Sequence, residues 1–413
     1  MRRDGPKLFE VLGEAGVSPR GHSPIAGRAV RLLFSLALFL GLGEAAARLT
    51  GFVDRVNPMP RRLYMATDVS DLPYRLRPGV EVDVTGSHIS VNELGMRDRL
   101  GVSQRPTPGV RRILVLGDSV AFGWLQQVEH AFPSLLESEL RGAGGAWTSV
   151  EVLNAGVPGY NAVTESAWFR QFGEALRPEV VVVLVNLNDY DATPHLNGLG
   201  VLSYDDDRVS RWSPSNWSEL WLAARWSVLL LRGDPLTKAA AATATATPTP
   251  AASPEGATRP GWDRVGLWVS RLRKRFYHAP TEPQWGHLDR AWSDLAARGR
   301  SIGARVVFAI VPDGDQVDVP DPDFAPQERL LGLCRARGFE CVDLTPAFLA
   351  APAGTILHTD IMHPNDAGHA IAAHAIAAYL RGDARAAATG TDGVPSPGAP
   401  SAVLHGAATA ATP

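Results

Sequence analysis

The chain of 413 residues has only two cysteines and no excess of charge of one sign. Two cysteines cannot form a disulfide scaffold or a zinc site of cysteine ligands alone. The 40 basic and 43 acidic side chains give a net charge of -3, whereas a general nucleic-acid-binding protein normally carries a basic excess. The sequence also lacks His-Glu-x-x-His, Walker and Cys-x-x-Cys motifs. We therefore expect no metal, no cofactor and no nucleic-acid partner.

One long apolar run lies near the N-terminus, at Leu32–Leu42, and arginines precede it. The run is shorter than the ~20 residues that span a bilayer, but Ala26–Val30 can lengthen the helix if its arginines reach the head groups. We expect a membrane anchor here, with the rest of the chain on the periplasmic or extracellular side. The alternatives are a signal peptide cleaved near Ala45–Ala47 and a buried helix of a soluble protein.

The sequence from Arg111 onward alternates short apolar runs with segments of helical periodicity. The apolar runs predict strands at Arg112–Leu116, Val150–Leu153, Val180–Val185, Arg305–Val311 and Cys341–Leu344. The helical segments are Phe132–Leu140, Glu165–Leu176, Leu288–Ala297, Glu328–Ala336 and Ala367–Leu380. Because the strands are apolar on both faces, we expect an α/β fold, a three-layer α/β/α sandwich with a mainly parallel central sheet.

Changes in composition predict the domain boundaries. The expected segments are, in order, an anchor or signal at 1–50, a β-rich lead segment at 51–110, a main domain at 111–383 with a helical and disordered insertion at 190–283, and a disordered tail at 384–413. Strict alternation at Val80–Val84 and Ser87–Val91 predicts a hairpin in the lead segment. A linker rich in Ala, Thr and Pro, at about 237–262, cannot bury enough apolar surface to order itself.

Two features of the main domain leave alternatives open. The Trp-rich segment within the insertion, Trp217–Leu231, predicts a helix that packs onto its own domain, with the membrane surface or a roof over the site as alternatives. Cys334 and Cys341 lie seven residues apart. They either pair in an oxidising compartment or remain two small buried hydrophobic residues.

A serine follows the first predicted strand of the main domain, in Gly117-Asp118-Ser119. This position, beyond the carboxyl end of a strand, is where open α/β sheets bind their ligands. A backbone N–H at the start of the following helix would point toward an oxyanion that forms there. The same tripeptide is also common in turns and at helix N-caps that have no catalytic role.

The next two strands also end in segments able to contact a ligand. Asn154–Tyr160 contains two glycines and a proline, so its backbone can approach a ligand closely, and Gly159 can present a free N–H. Asn186–Asp189 closes a wholly apolar strand, and Asn188 can donate a side-chain hydrogen bond. The simpler explanation of Asn154–Tyr160 is a tight loop between a strand and a helix, and that of Asn188 is a helix cap.

A histidine near the end of the main domain has a carboxylate at a suitable spacing. Asp360 precedes His363 by three residues, so one helical turn would bring both side chains to the same side. A carboxylate that accepts from Nδ1–H fixes the tautomer and leaves Nε2 free to take a serine proton. His358 and His369 are alternative bases, but neither has an acid at that spacing on its N-terminal side.

Together these four segments resemble the SGNH or GDSL hydrolase family, over about 111–189 and 283–383. The resemblance implies a nucleophile, Ser119, a general base, His363, and its orienting partner, Asp360. It further implies an oxyanion hole formed by Ser119, Gly159 and Asn188. The residues that would support these motifs structurally are Gly117, Asp118 and Asp189. Asn186 stands where the family usually has glycine. Phe122-Gly123-Trp124, Phe132-Pro133 and Asn92–Asp98 resemble a bacterial subset with an N-terminal membrane segment.

The resemblance implies a membrane-anchored serine esterase that hydrolyses a carboxylic ester through an acyl-enzyme. The resemblance implies no particular substrate, but an exported position and the aromatic insertion suit O-acetyl groups on a cell-envelope glycan and a lipid ester equally well. An O-acyltransferase that acts on a polysaccharide would use the same residues, with a sugar hydroxyl in place of water. A membrane-tethered binding module with an inactive site is a third possibility, against which the intact Ser119, Asp360 and His363 argue.

Overall fold

The computed structural model describes residues 24–57, 59–84, 87–191, 193–203, 213–231, 280–317, 322–352 and 355–382. These residues fall into two compact units that divide between Gly51 and Phe52. The strands are β1 (Tyr64–Val69), β2 (Leu72–Leu76), β3 (Glu81–Val84), β4 (Ser87–Ser90), β5 (Arg111–Gly117), β6 (Val150–Asn154), β7 (Val180–Val185), β8 (His195–Leu196), β9 (Leu202–Ser203), β10 (Arg305–Ile310) and β11 (Glu340–Asp343).

The helices include one long N-terminal helix and several that follow the strands. They are α1 (Pro24–Thr50), α2 (Phe52–Val56), α3 (Ser119–Phe122), α4 (Phe132–Ala143), α5 (Ala162–Trp168), α6 (Glu219–Leu231), α7 (Glu282–Ser301), α8 (Gly314–Val317), α9 (Ala325–Arg337), α10 (Thr345–Leu349) and α11 (Asp366–Arg381). The predicted linker at 237–262 and the predicted tail at 384–413 lie outside the described residues.

Helix α1 makes up the described part of the first unit and is longer than the apolar run alone. Gly27–Thr50 is apolar enough to cross a membrane, and its 24 residues extend for about 36 Å. Its large apolar side chains are exposed, among them Leu32, Phe34 and Phe39. A signal sequence near the N-terminus has the same length and composition.

The second unit is built around a five-stranded sheet in the order β11-β10-β7-β5-β6. Every neighbouring pair is parallel, and Val115 of β5 stands opposite Val182 of β7 and Asn154 of β6. Successive residues of a strand point to opposite faces, and here both faces are apolar. Leu114 and Val181 pack into one core, whereas the adjacent Val115 and Val182 pack into the other.

Helices cover each face of this sheet. Helices α5, α7 and α9 lie on one face, where Trp168, Trp292 and Leu330 belong to the same core as Leu114. Helices α4, α10 and α11 lie on the other, where Leu136 and Ile376 pack with Val115. The predicted α/β/α sandwich with its parallel central sheet is therefore confirmed. The predicted helix at 165–176 begins earlier, as α5, and continues after Trp168 as a π turn and a 3-10 turn.

Two hairpins precede the sheet, and one of them is not foreseen from the sequence. Strands β3 and β4 pair antiparallel as the alternating pattern predicts. Strands β1 and β2 also pair antiparallel, although Pro73 within β2 argues against a strand. The ring of Tyr74 in β2 packs edge-on against Tyr160, and the Tyr160 hydroxyl donates to the Tyr74 carbonyl at 2.8 Å. The unexpected hairpin is thus attached to the loop that follows β6.

The two features left open by the sequence have definite structures. Cys334 and Cys341 form a disulfide. The Trp-rich segment forms α6, which buries Leu222 against Val53 of α2 but leaves the Trp221 side chain 52% exposed. Within the described residues, the helix therefore packs onto its own unit through one face.

A buried arginine fastens the lead segment to the main domain. The Arg97 guanidinium is 1% exposed and donates to the carbonyls of Phe122, at 3.0 Å, and Gly123, at 2.6 Å. It also donates to the Gln126 carbonyl at 2.7 Å. Burial lowers the pKa of Arg97 to about 10, so the group stays charged at neutral pH. Three backbone carbonyls within seven residues of Ser119 thus accept hydrogen bonds from the lead segment.

We expect Arg97→Met to destabilise the folded chain, because buried carbonyls lose their donor, at about 1–3 kcal/mol for each group left unsatisfied. The matched control is Arg99→Met, since Arg99 is 44% exposed and its partners Glu137 and Glu151, at 15% and 13% exposure, keep their ion pairs with Arg141 and Arg112. Exposed pairs of this kind contribute about 0–1 kcal/mol. Urea unfolding in detergent measures the free energy of unfolding of both variants. Equal losses of stability would contradict the role of Arg97 in holding the lead segment to the main domain.

Candidate active site

Ser119 lies at the carboxyl edge of the central sheet, directly after β5. Asp118 caps α3, and its Oδ1 accepts from the Val120 N–H at 2.8 Å. Gly117 has φ +150°, and a Cβ at this position would lie 2.6 Å from the Ala121 Cβ. The sharp turn from strand to helix therefore requires glycine. Ser119 is the first residue of α3, so its N–H has no partner one turn earlier in the helix.

A chain of hydrogen bonds joins Ser119 to His363 and His363 to Asp360. His363 Nε2 lies 2.9 Å from Ser119 Oγ, and His363 Nδ1 lies 2.7 Å from Asp360 Oδ2. A carboxylate only accepts, so the ring carries its proton on Nδ1 and leaves Nε2 to accept from the serine hydroxyl. The structure thus brings Ser119 to within hydrogen-bond distance of His363, which follows it by 244 positions in the sequence.

The Asp360–His363 segment is a turn and not the helical turn that the spacing predicts. Asp360 Oδ1 accepts from the backbone N–H groups of Met362 and His363, both at 2.8 Å. Pro364 follows and disfavours helical backbone at His363, and it pairs with His358 across a short bridge. The side chains still meet, because the aspartate folds the backbone around its own carboxylate.

The electrostatics of this pair favour an ionised aspartate beside a basic imidazole. Burial alone would raise the pKa of Asp360, but His363 and the two backbone N–H donors lower it well below its ordinary value. Burial alone would lower the pKa of His363, but the Asp360 carboxylate and its hydrogen bond raise it on balance. The arrangement therefore holds a negative charge next to the ring that has to accept a proton.

The two alternative bases are occupied elsewhere. His358 is buried, and its Nε2 lies 3.0 Å from the Pro312 carbonyl. His369 Nδ1 accepts from the Phe132 N–H at 3.1 Å. Burial, together with His363 and Arg97 nearby, lowers the pKa of His369 to about 3. Neither ring contacts Ser119 in the described structure, so the geometry favours His363 as the base.

The two further strand ends lie beside the Ser119 turn. Gly156 approaches α3 so closely that a Cβ there would lie 2.3 Å from the Phe122 nitrogen, and the Val157 N–H donates to the Gly117 carbonyl at 3.0 Å. Gly159 has φ +83°, a conformation that favours glycine. Asn188 Nδ2 donates to Asp118 Oδ2 at 2.9 Å, so one amide hydrogen is used and the other remains available.

Buried carboxyl groups lie beneath this turn, and one of them is absent from the sequence-based site. Asp118, Asp189 and Glu165 of α5 are all buried. Burial raises the pKa of Asp118, and it raises those of Glu165 and Asp189 well above their ordinary values, with further upward contributions from neighbouring carboxyl groups. Glu165 and Asp189 therefore favour their neutral forms. A glutamate in the first turn of a helix gives no sign of such burial in the sequence.

The described residues contain no group of three or more His, Cys, Asp or Glu side chains that could hold a metal ion. The site itself offers a serine hydroxyl, an imidazole paired with a carboxylate, and amide donors. This combination suits nucleophilic attack on a carbonyl carbon, followed by stabilisation of the oxyanion.

The GDSL-like lipase/acylhydrolase family matches residues 115–371 of the chain. No curated protein matches it. Similar solved structures include a catalytic mutant of an acetylxylan esterase from Geobacillus stearothermophilus, at 13% identity and a TM-score of 0.36, over 66% of this chain and 93% of that chain. They also include an alpha/beta hydrolase enzyme from the metagenome of Lake Arreo, Spain, at 14% identity and a TM-score of 0.37, over 65% of this chain and 96% of that chain.

We expect the pKa of His363 to fall in Asp360→Asn, because the carboxylate that raises it is removed while burial, which lowers it, remains. Titration of the imidazole signals by NMR measures the change. The matched control is Asp366→Asn, which removes a surface carboxylate that lies 2.9 Å from His130. It should leave the His363 titration unchanged. An unaltered pKa in Asp360→Asn would contradict the pairing.

Proposed function

The chain belongs to the GDSL-like lipase/acylhydrolase family and is an ester-hydrolysing enzyme, and from this premise we propose an exported serine esterase that uses Ser119, His363 and Asp360. The observation that carries the proposal is the chain of hydrogen bonds from Ser119 Oγ through His363 to Asp360. Its substrates are O-acyl groups of the cell envelope, on a glycan or in a lipid ester.

The reaction begins when Ser119 Oγ attacks the ester carbonyl carbon and His363 Nε2 takes the hydroxyl proton. The tetrahedral intermediate collapses, the bond to the alcohol oxygen breaks, and His363 returns the proton to the leaving alkoxide. Water then attacks the acyl-serine with His363 again as base, which releases the acid and restores the hydroxyl. Asp360 stays ionised throughout and stabilises the imidazolium that forms in each half-reaction.

The oxyanion is stabilised by the N–H groups of Ser119 and Gly159 and by Asn188 Nδ2. Support comes from the close packing of the loop after β6 on α3 and from the hydrogen bond that orients the Asn188 amide. Asp118 accepts that bond and also caps α3, so it positions one donor and the nucleophile together. Gly117 permits the turn, and Asp189 supports the loop through its carbonyl, which accepts from the Ala162 N–H at 3.1 Å.

We expect Ser119→Ala to abolish hydrolysis of p-nitrophenyl esters, and Asn188→Ala to lower kcat by about 10²–10³-fold. Acetate to octanoate esters, assayed with the full chain in detergent, also give the preferred acyl length. The control is Asn197→Ala, because this buried asparagine donates to the Ser215 carbonyl and accepts from the Val201 N–H. Equal rates for the wild type and Ser119→Ala, in folded protein, would overturn the mechanism.

An acceptor added to the same assay separates hydrolysis from acyl transfer. With an oligosaccharide present, an esterase releases free acid at an unchanged rate, and the sugar gains no acyl group. Acylated oligosaccharide, detected by mass spectrometry and lost in Ser119→Ala, would instead identify an O-acyltransferase with the same nucleophile.

The enzyme is held in the membrane by α1, with the esterase unit on the periplasmic or extracellular side. The support is the length of the apolar segment and the exposure of its side chains. The disulfide between Cys334 and Cys341 also supports an oxidising compartment.

We expect the full chain to stay in the membrane fraction after an alkaline carbonate wash, with its N-terminal peptide intact by mass spectrometry. Leu36→Lys with Phe39→Lys should release it, since each charge at the bilayer centre costs about 2.5–3.5 kcal/mol on insertion scales. Leu49→Lys, near the end of the helix, is the matched control and should remain bound. A mature chain that begins near Ala47 would identify a cleaved signal and contradict the anchor.

A further inference from the structure

Among the described residues, helix α6 contacts the rest of its unit through one face. Leu222 is buried against Val53 of α2 and Val201, and Glu219 pairs with Arg61. Arg61 also donates to the Leu199 carbonyl at 3.3 Å. These contacts hold the orientation of the helix, so the opposite face has a fixed direction.

That opposite face is an apolar stripe, defined here as Trp221, Ala224, Val228 and Leu231. All four are exposed, with Trp221 at 52%, Val228 at 45% and Leu231 at 86%. Their spacing of three, four and three residues aligns them along one side of an α-helix. Soluble surfaces rarely carry a contiguous apolar stripe of this kind, and such stripes mark contact with a partner or a membrane.

The position of α6 along the chain favours a membrane. Its partner α2 begins at Phe52, two residues after the apolar segment ends at Thr50. Two residues of chain span at most about 7 Å, so α2 stays near the end of that segment whatever the angle between them. Tryptophan is enriched at the boundary between hydrocarbon and water, where its ring is apolar and its N–H is hydrated.

Basic side chains lie near the same packing contact. Arg55, Arg62 and Arg77 are exposed and line an open cavity of about 850 Å³ together with Arg61. Two carboxylates, Asp54 and Asp83, line it as well, so the basic side chains are in excess. Each basic residue close to an anionic membrane surface contributes about 1 kcal/mol to binding. Interfacial helices combine these two elements, an apolar face and nearby positive charge.

From these observations we infer that α6 is a second membrane contact, whose apolar stripe lies in the interface of a bilayer that contains anionic lipid. The inference rests on the anchoring by α1 proposed above, and goes beyond it by fixing the orientation of the esterase unit. A single helix lets that unit rotate freely, whereas two contacts hold one side of it against the lipid.

Spin labels on single cysteines test the contact in the full chain. Both native cysteines are joined in a disulfide, so cysteines introduced as Trp221→Cys and Val228→Cys are labelled alone. The chain is reconstituted in vesicles of phosphatidylethanolamine and phosphatidylglycerol. We expect a label at either position to lose its accessibility to a water-soluble nickel chelate while it gains accessibility to oxygen, which concentrates in lipid.

Three further labels make the result decisive. Leu100→Cys and Leu349→Cys, whose native side chains are 62% and 51% exposed on other parts of the unit, should stay accessible to nickel. Phe39→Cys, within α1, should behave as a label in lipid. One outcome is that the label at Phe39→Cys is protected from nickel, while the labels at Trp221→Cys and Val228→Cys are as accessible to nickel as the controls. In that case α6 does not touch the membrane, which overturns the inference, but the anchoring by α1 stands.

The remaining outcomes also overturn the inference, each for a different reason. Labels at 221 and 228 that are inaccessible to both reagents lie under protein, either another part of this chain or a second copy. A nickel-accessible label at Phe39→Cys would instead refute anchoring by α1, and with it the inference. The esterase assay is independent of all these results, because it does not depend on where the labels lie.

Discussion

The short turn from residue 118 to residue 123 is held by hydrogen bonds from three separate parts of the chain. Arg97 of the lead segment donates to the carbonyls of Phe122 and Gly123, and Asn154 at the end of β6 donates to the Phe122 carbonyl. Asn188, beyond β7, donates to the Asp118 carboxylate. A four-residue helix has too few internal hydrogen bonds to fix its own position, so the direction of the Ser119 hydroxyl depends on these donors.

The strands and most of the candidate site could be predicted because their signals are local. A strand buried on both faces, such as Val180–Val185, is a continuous apolar run in the sequence. Parallel strands share one carboxyl edge, so residues that follow β5 and β7 had to lie near one another. The meeting of Asp360 and His363 was predicted with the wrong backbone, because residue spacing does not distinguish a helical turn from a turn folded around an aspartate.

The features that could not be predicted depend on partners far away in the sequence. The role of Arg97 depends on the carbonyls that it binds, the first of which lies 25 residues later in the sequence, at Phe122. Strand β2 contains a proline, yet it pairs with β1, and the Tyr74 hydroxyl donates to the Pro158 carbonyl. The burial of Glu165 could not be predicted either, since a glutamate in the first turn of a helix is normally solvated and interacts favourably with the helix dipole.

The burial of these carboxyl groups bears on the basicity of the histidine. Asp360 is stabilised as an anion, whereas burial and mutual repulsion favour the neutral forms of Glu165 and Asp189. Environments that separate the pKa values of nearby acids in this way assign them different roles. The carboxylates that raise the pKa of His363 are Asp360, which acts most strongly, and then Asp118 and Asp313. Because Glu165 and Asp189 favour their neutral forms, they add little negative charge beside Asp118, and Asp360 remains the main charge that acts on His363.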